Sequence, residues 1–264
     1  MKALWSNLLK ITYFRRAILA HLHADYFHEF NHSISLEDDY RAYLCENDAY
    51  DAFSEIFIKQ EYSDFIPNEN ILKVLDIGAN YGYFSLWLQS KRSQDKIHST
   101  LIEPSLRCSR SLEKLIKLPR LQNRFQYLQR AVGNPEKPRI KFFDRPFMAG
   151  SIFESDCKDI SYYASTLKSS DVFSPTSKSY DLVKCDIEGG EWELIINYPS
   201  ILEHTRFLVM EWHSWHSGGG SLPQIEQKLN DFGFQVIKSS ATQKAVGREG
   251  EVGLFLAKNL NFQN

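Results

Sequence analysis

Two acids stand 27 positions apart, each near the end of a short apolar run: Asp76 in LDIGANYGYF (75–84) and Glu103 in IHSTLIEP (97–104). Between them, Gly78, Asn80 and Gly82 form a turn with two glycines four positions apart. A dinucleotide loop needs G-x-G-x-x-G and a P-loop needs G-x-x-x-x-G-K-[ST]; neither pattern is present. An ionised Asp76 would repel a phosphate laid beside it and suits a cationic group better. S-adenosylmethionine answers that description, with an ammonium, a sulfonium and no phosphate. A strand-end acid such as Glu103 can accept hydrogen bonds from both hydroxyls of a ribose. NAD also has a ribose, so the missing phosphate loop is what discriminates. The plain alternative is that Asp76 caps the following helix, which explains one acid but not both acids and the glycines.

A second group of chemistry-bearing residues lies further on. SYDLVKCDIEGGEWELI (179–195) carries Asp186, Glu188 and Glu191, and RFLVMEWH (206–213) carries Glu211 and His213. If a methyl group passes from a sulfonium to a hydroxyl, the hydroxyl must lose its proton near the donor. Asp186, Glu188 and His213 are the catalytic candidates, with His213 or Asp186 as the base. In the alternative mechanism Asp186, Glu188, Glu211 and His213 help hold Mg2+ or a similar ion, with Asp186, Glu211 and His213 as the core set. The metal-free version is favoured. Glu188 and Glu191 are also what a helix dipole attracts into a first turn, and Glu191 fits that plainer role better. Trp212, Trp215 and His216, followed by Gly218–Gly220, offer either an acceptor-contacting loop or ordinary packing.

These side chains need strands to deliver them to one edge. From residue 71 the chain alternates strand, turn and helix, with strands near 71–78, 97–104, 124–133, 179–186 and 206–213. Strands apolar on both faces predict a parallel sheet covered on both sides. FQVIKSS (234–240) and EVGLFLAK (251–258) have no helix between them and predict a closing hairpin, one strand of it antiparallel. KPRIKFFD (137–144) reads as a hairpin arm and 144–180 as irregular. Residues 1–66 read mostly helical, having no glycine or proline, and SLEDDYRAYL (35–44) starts like a capped helix.

The chain has 264 residues, 43% hydrophobic and 14% aromatic, enough for one large domain. A net charge of −2 implies no general pull toward nucleic acid. Cys45, Cys108, Cys157 and Cys185 lack zinc spacing, which points to a reduced, cytoplasmic setting. No apolar run approaches a membrane span. Leu4, Leu8, Ile11, Ile18 and Leu22 suggest an amphipathic helix that packs on its own domain or on a second copy, with peripheral membrane contact as the sharper reading.

The motifs DIGANYGYFS (76–85) and KCDIEGGE (184–191), in that order, with IEPS (102–105), AVG (131–133) and EWH (211–213) between and after them, resemble the FkbM family of class I methyltransferases. The likeness covers about residues 70–258. Cys185 departs from it, standing where the family prefers an aliphatic residue. The resemblance implies a doubly wound, mostly parallel seven-stranded sheet, Rossmann-like; the methyltransferase domain is expected over 67–264, and residues 1–66, read as a helical N-terminal extension, match nothing in the family. It implies S-adenosylmethionine as donor and O-methylation of a saccharide, glycolipid or natural product. Asp76, Gly78, Asn80 and Gly82 would line the methionine end, Glu103 the ribose, and Arg130 and Ala131 the adenine. The rival from another class is a non-catalytic scaffold, against which the set of Asp76, Glu103 and Asp186 argues.

Overall fold

The computed structural model describes residues 32–46, 48–145, 149–154, 160–173, 178–215, 220–244 and 250–262. Strands β1 (His32–Ser35) and β2 (Arg41–Leu44) form an antiparallel hairpin, so the helix expected over 35–44 is absent. The hairpin turns through Asp38 and Asp39, both at positive φ. Strand alternation wins there: Ala42 and Leu44 point inward and are fully buried while Arg41 is exposed. Helix α1 (Ala49–Phe53) follows and continues as a wider helical turn over Ser54–Lys59, ending at Gln60 with φ 56°. The expectation of a mostly helical segment is therefore corrected for 32–66. The amphipathic helix expected before residue 23, with its proposed pairing of copies, lies outside the described residues.

The strand–helix rhythm begins where the sequence places it. It runs β3 (Lys73–Ile77), α2 (Tyr83–Lys91), β4 (His98–Ile102), α3 (Leu106–Ile116) and β5 (Phe125–Leu128). Then β6 (Arg139–Asp144) pairs antiparallel with β7 (Ile160–Ser165), and α4 (Ser169–Val172) leads out, so the span read as irregular holds a strand and a short helix. The second half contains β8 (Tyr180–Cys185), α5 (Glu191–Asn197), α6 (Pro199–Glu203), β9 (Thr205–His213), α7 (Leu222–Asp231), β10 (Phe234–Ser239), β11 (Gln243–Lys244) and β12 (Glu251–Asn259).

The large sheet runs β10-β12-β9-β8-β3-β4-β5, with β11 an added piece on β12. Strands β5, β4, β3, β8 and β9 are parallel; β12 runs antiparallel to both its neighbours. Adjacent β3 residues face opposite layers. Val74 packs with Leu86, Leu101 and Leu112, together with Phe53 and Phe57 of the preceding segment. Leu75 packs with Val183, Leu194 and Leu208. Both faces are thus covered, the condition for a parallel sheet. Strand order reverses between β3 and β8, which opens a crevice beyond Ile77 and its register partner Cys185. No helix among the described residues is long and apolar enough to cross a membrane.

Candidate active site

A cleft of about 580 Å³ occupies that crevice, walled by the loops after β3, β4, β8 and β9 and by the segment before β3. Gly78 leaves β3 at φ 73°. A Cβ there would lie 1.7 Å from the Asp186 carbonyl oxygen, so the β3 and β8 loops approach as closely as they do only because the residue is glycine. Asn80, also at positive φ, donates its backbone N–H to Glu103 Oε2 at 2.8 Å. Ser105 N–H donates to Glu103 Oε1 at 2.8 Å. Glu103 therefore locks the two loops together while lining the cleft, and its burial pushes the carboxyl up to about 7. Arg130 and Ala131 line the same cleft, the latter bonded through its backbone to Ser165 and Leu167.

Two of the predicted cofactor residues stand behind this wall rather than in it. Asp76 is fully buried; its Oδ2 accepts from Ser85 Oγ at 2.8 Å and its Oδ1 lies 3.7 Å from Lys184 Nζ. Burial raises its carboxyl above the usual range, and Lys184 and Ser85 pull it partly back. Gly82 fits against α3, where a Cβ would meet Leu115 Cδ2 at 2.5 Å. The link from Asp76 to the cleft is Lys184, which sequence reasoning passed over. Its ammonium, buried on β8, donates to the Gly78 carbonyl at 2.7 Å and lies 3.3 Å from Asp186 Oδ2. Burial alone would depress that amine, but Asp186 and Asp76 outweigh it and keep it charged. A lysine in an otherwise apolar strand, directly before the Cys-Asp pair, was the available signal.

The other end of the cleft is acidic. Glu188 sits at φ 54° and Gly189 at φ 97°, which bends the β8 loop back toward α5. Glu191 does more than answer a helix dipole. Fully buried, its Oε1 accepts from the N–H groups of Ile187 and Gly189 and lies 3.0 Å from His213 Nδ1. Burial would lower the His213 pKa, but Glu191 overrides it and raises the imidazole to about 10. The ion pair with Glu191 thus favours the charged imidazole. Asp186 titrates below its usual range: burial opposes ionisation, but Lys184 and His213 win. Glu211 is pushed up to about 8 by burial and by Asp186.

Asp186, Glu188 and His213 can each turn one ligand atom to a common point, all within 4.8 Å of one another. Glu211, expected in that set, lies 3.8 Å from His213 Nε2 instead. Tyr62 was not anticipated: its hydroxyl is 3.1 Å from both Asp186 Oδ2 and Glu211 Oε2. Trp215 lies against His213, ring centroids 4.3 Å apart, and lines the cleft. Trp212 belongs to the core layer, so of the two readings left open for it packing is the one observed. His216, Gly218 and Gly219 lie outside the described residues.

Comparison with known proteins fits this geometry. No curated protein matches the chain. Among solved structures, Methyltransferase FkbM from Methylobacillus flagellatus KT aligns at 17% identity and a TM-score of 0.50, over 80% of this chain and 50% of that one. The present chain thus spans half that protein's length. P. horikoshii TYW2 in complex with MeSAdo aligns at 13% identity and a TM-score of 0.50, over 88% and 72% of the two chains. Such identities speak for a shared fold alone. The Methyltransferase FkbM domain model, however, matches residues 76–236, from the acid of the first motif to the strand after α7. That span is more than half of the sequence, and the chain belongs to the FkbM methyltransferase family.

Proposed function

We propose that the cleft holds S-adenosylmethionine, with its ribose on Glu103 and its methionine end along the Gly78–Asn80 turn, and methylates a hydroxyl of a saccharide, glycolipid or natural product. The observation that carries this reading is the turn itself. It is closed against the Asp186 carbonyl, held by Glu103, and free of any phosphate-cradling pattern. The donor set also suits a cation: Asp186 stays ionised beside the turn. When bound, S-adenosylmethionine supplies an electrophilic methyl on sulfur. The protein's own residues do the rest. The β3 and β8 loops hold donor and acceptor in line. Asp186, at the tip of β8 beside the Gly78 turn, takes the hydroxyl proton, and His213, whose pKa Glu191 raises, supports the charge there. Glu55, Glu61, Glu188 and Glu211 on the acceptor side disfavour a polyphosphate chain and suit an uncharged polyol.

A second reading has its own support. His213 Nδ1 is bonded to Glu191, a partner common behind metal-bound histidines, while Asp186, Glu188 and His213 each offer one ligand atom within 4.8 Å of the others. A divalent ion there would lower the acceptor's pKa and change which group takes the proton. Calorimetry with S-adenosylmethionine and its demethylated product tests the first reading, and Glu103→Ala should weaken both ligands. If neither binds the wild-type chain, a scaffold role replaces the enzyme. Turnover that survives exhaustive chelation retires the metal.

A further inference from the structure

Tyr62 comes from outside the span that matches the family model, yet its hydroxyl reaches two acids that line the cleft, Asp186 and Glu211. The path is local. The helical turn Ser54–Lys59 stops at Gln60, whose left-handed conformation reverses the chain. Glu61 N–H then bonds back to the Glu55 carbonyl, and Ser63–Phe65 forms one tight turn. This presents the Tyr62 ring edge-on to Phe84 of α2, with centroids 5.1 Å apart, and leaves the residue 3% exposed. Its hydroxyl then lies between Asp186, past the tip of β8, and Glu211 of the adjacent β9, at 3.1 Å from each.

Asp186 and Glu211, side by side on neighbouring parallel strands and only partly exposed, repel one another when both are ionised. A phenol between them has one O–H to share between two oxygens, each 3.1 Å away, and so holds both acids close to a single atom. Lys184 approaches Asp186 from below the wall and His213 faces Glu211 from the side, so the hydroxyl is the group that ties the two acids to each other. We infer that Tyr62 is a positioning residue, whose hydroxyl holds Asp186 and Glu211 as a pair directed at the cationic centre of the methyl donor. The inference rests on the donor assignment above. It also gives the segment before β3 a part in the chemistry, since that segment, and not the sheet, supplies the clamp.

A charge-directed clamp has a signature that simple packing lacks. S-adenosylmethionine carries a sulfonium charge; S-adenosylhomocysteine has the same shape without it. Tyr62→Phe keeps the ring and its contact with Phe84 while removing the hydroxyl. In calorimetry on the full chain, the preference for the sulfonium ligand should fall by about fivefold or more, the scale of losing a hydrogen bond to an ionised group. The affinity for S-adenosylhomocysteine should stay within about twofold of wild type. The effect should shrink in a Glu211→Gln background, because the pair is then already broken. Thermal unfolding of each variant checks that it remains folded. Equal weakening of both ligands would show a structural role and overturn the inference, as would an unchanged ratio. Wild-type binding of neither ligand would remove the donor assignment itself, a failure visible before any variant is made.

Discussion

Replacing Lys184 with methionine should destabilise the protein severely, and the reason can be worked from three contacts. The side chain is 4% exposed, and its ammonium lies 3.3 Å from Asp186 Oδ2 and 3.7 Å from Asp76 Oδ1 while donating to the Gly78 carbonyl at 2.7 Å. Methionine fills similar space without the charge. Asp76, with no solvent exposure, would then keep only its hydrogen bond from Ser85 among these partners. Breaking one side of such a buried pair costs about 3–5 kcal/mol. For a chain of this size that is a drop in Tm of roughly 6–20 °C. Urea unfolding followed by circular dichroism would measure it. Adding Asp76→Asn removes the stranded charge, so the double variant should recover much of the loss instead of summing two losses. The deficit of Lys184→Met should also shrink as pH falls, because the raised Asp76 pKa lets the folded state take up a proton more readily than the unfolded chain. A loss below about 1 kcal/mol, or strict additivity of the two substitutions, would refute the claim that Lys184 is the electrostatic link between Asp76 and the cleft.

Three further outcomes follow from the same geometry. Glu191→Gln removes the main cause that lifts His213 from 6.5 to about 10. A raised folded-state pKa stabilises fully below the unfolded value and is lost as pH rises through the folded one. The variant's deficit in urea unfolding should therefore be largest below about pH 6.5 and fade by about pH 10. Gly78→Ala puts a methyl group 1.7 Å from the Asp186 carbonyl at a φ that disfavours it, so calorimetry should find binding of S-adenosylmethionine abolished, with unfolding at lower urea. Glu211, raised to about 8 by burial and by Asp186, takes up a proton far more readily than a free glutamate. A cationic donor favours the ionised form, so affinity for S-adenosylmethionine should rise between about pH 6 and 9 with proton release, seen by calorimetry in buffers of different ionisation enthalpy.

What the sequence made legible was the part governed by local chemistry. Apolar runs two-sided in their burial marked β3, β4, β8 and β9, and the residues at and just past their ends include six that line the cleft: Gly78, Asn80, Glu103, Asp186, Glu188 and His213. What it hid were contacts between residues far apart in the chain. Lys184 and Asp76 are 108 positions apart and face the same side only because β3 and β8 are neighbours. Tyr62 is 124 positions from Asp186. Glu191 looked like an acid answering a helix dipole because its partner, His213, arrives from the next strand. The β1–β2 hairpin was misread for a different reason. The acids that begin SLEDDYRAYL suit a helix start and equally suit the positive-φ turn that Asp38 and Asp39 make.

The placement of β12 carries a consequence for how the molecule comes to exist. It is the last strand in order, yet it sits between β9 and β10 and is bonded to both. Until the ribosome has released the chain past Asn259, β9 presents one bare row of backbone donors and acceptors, and β10 has nothing to dock on. Assembly of that half of the sheet therefore waits on β12, which is made after both of its neighbours. A nascent chain stalled before Glu251 would expose an adhesive edge next to the very strand that carries Glu211 and His213.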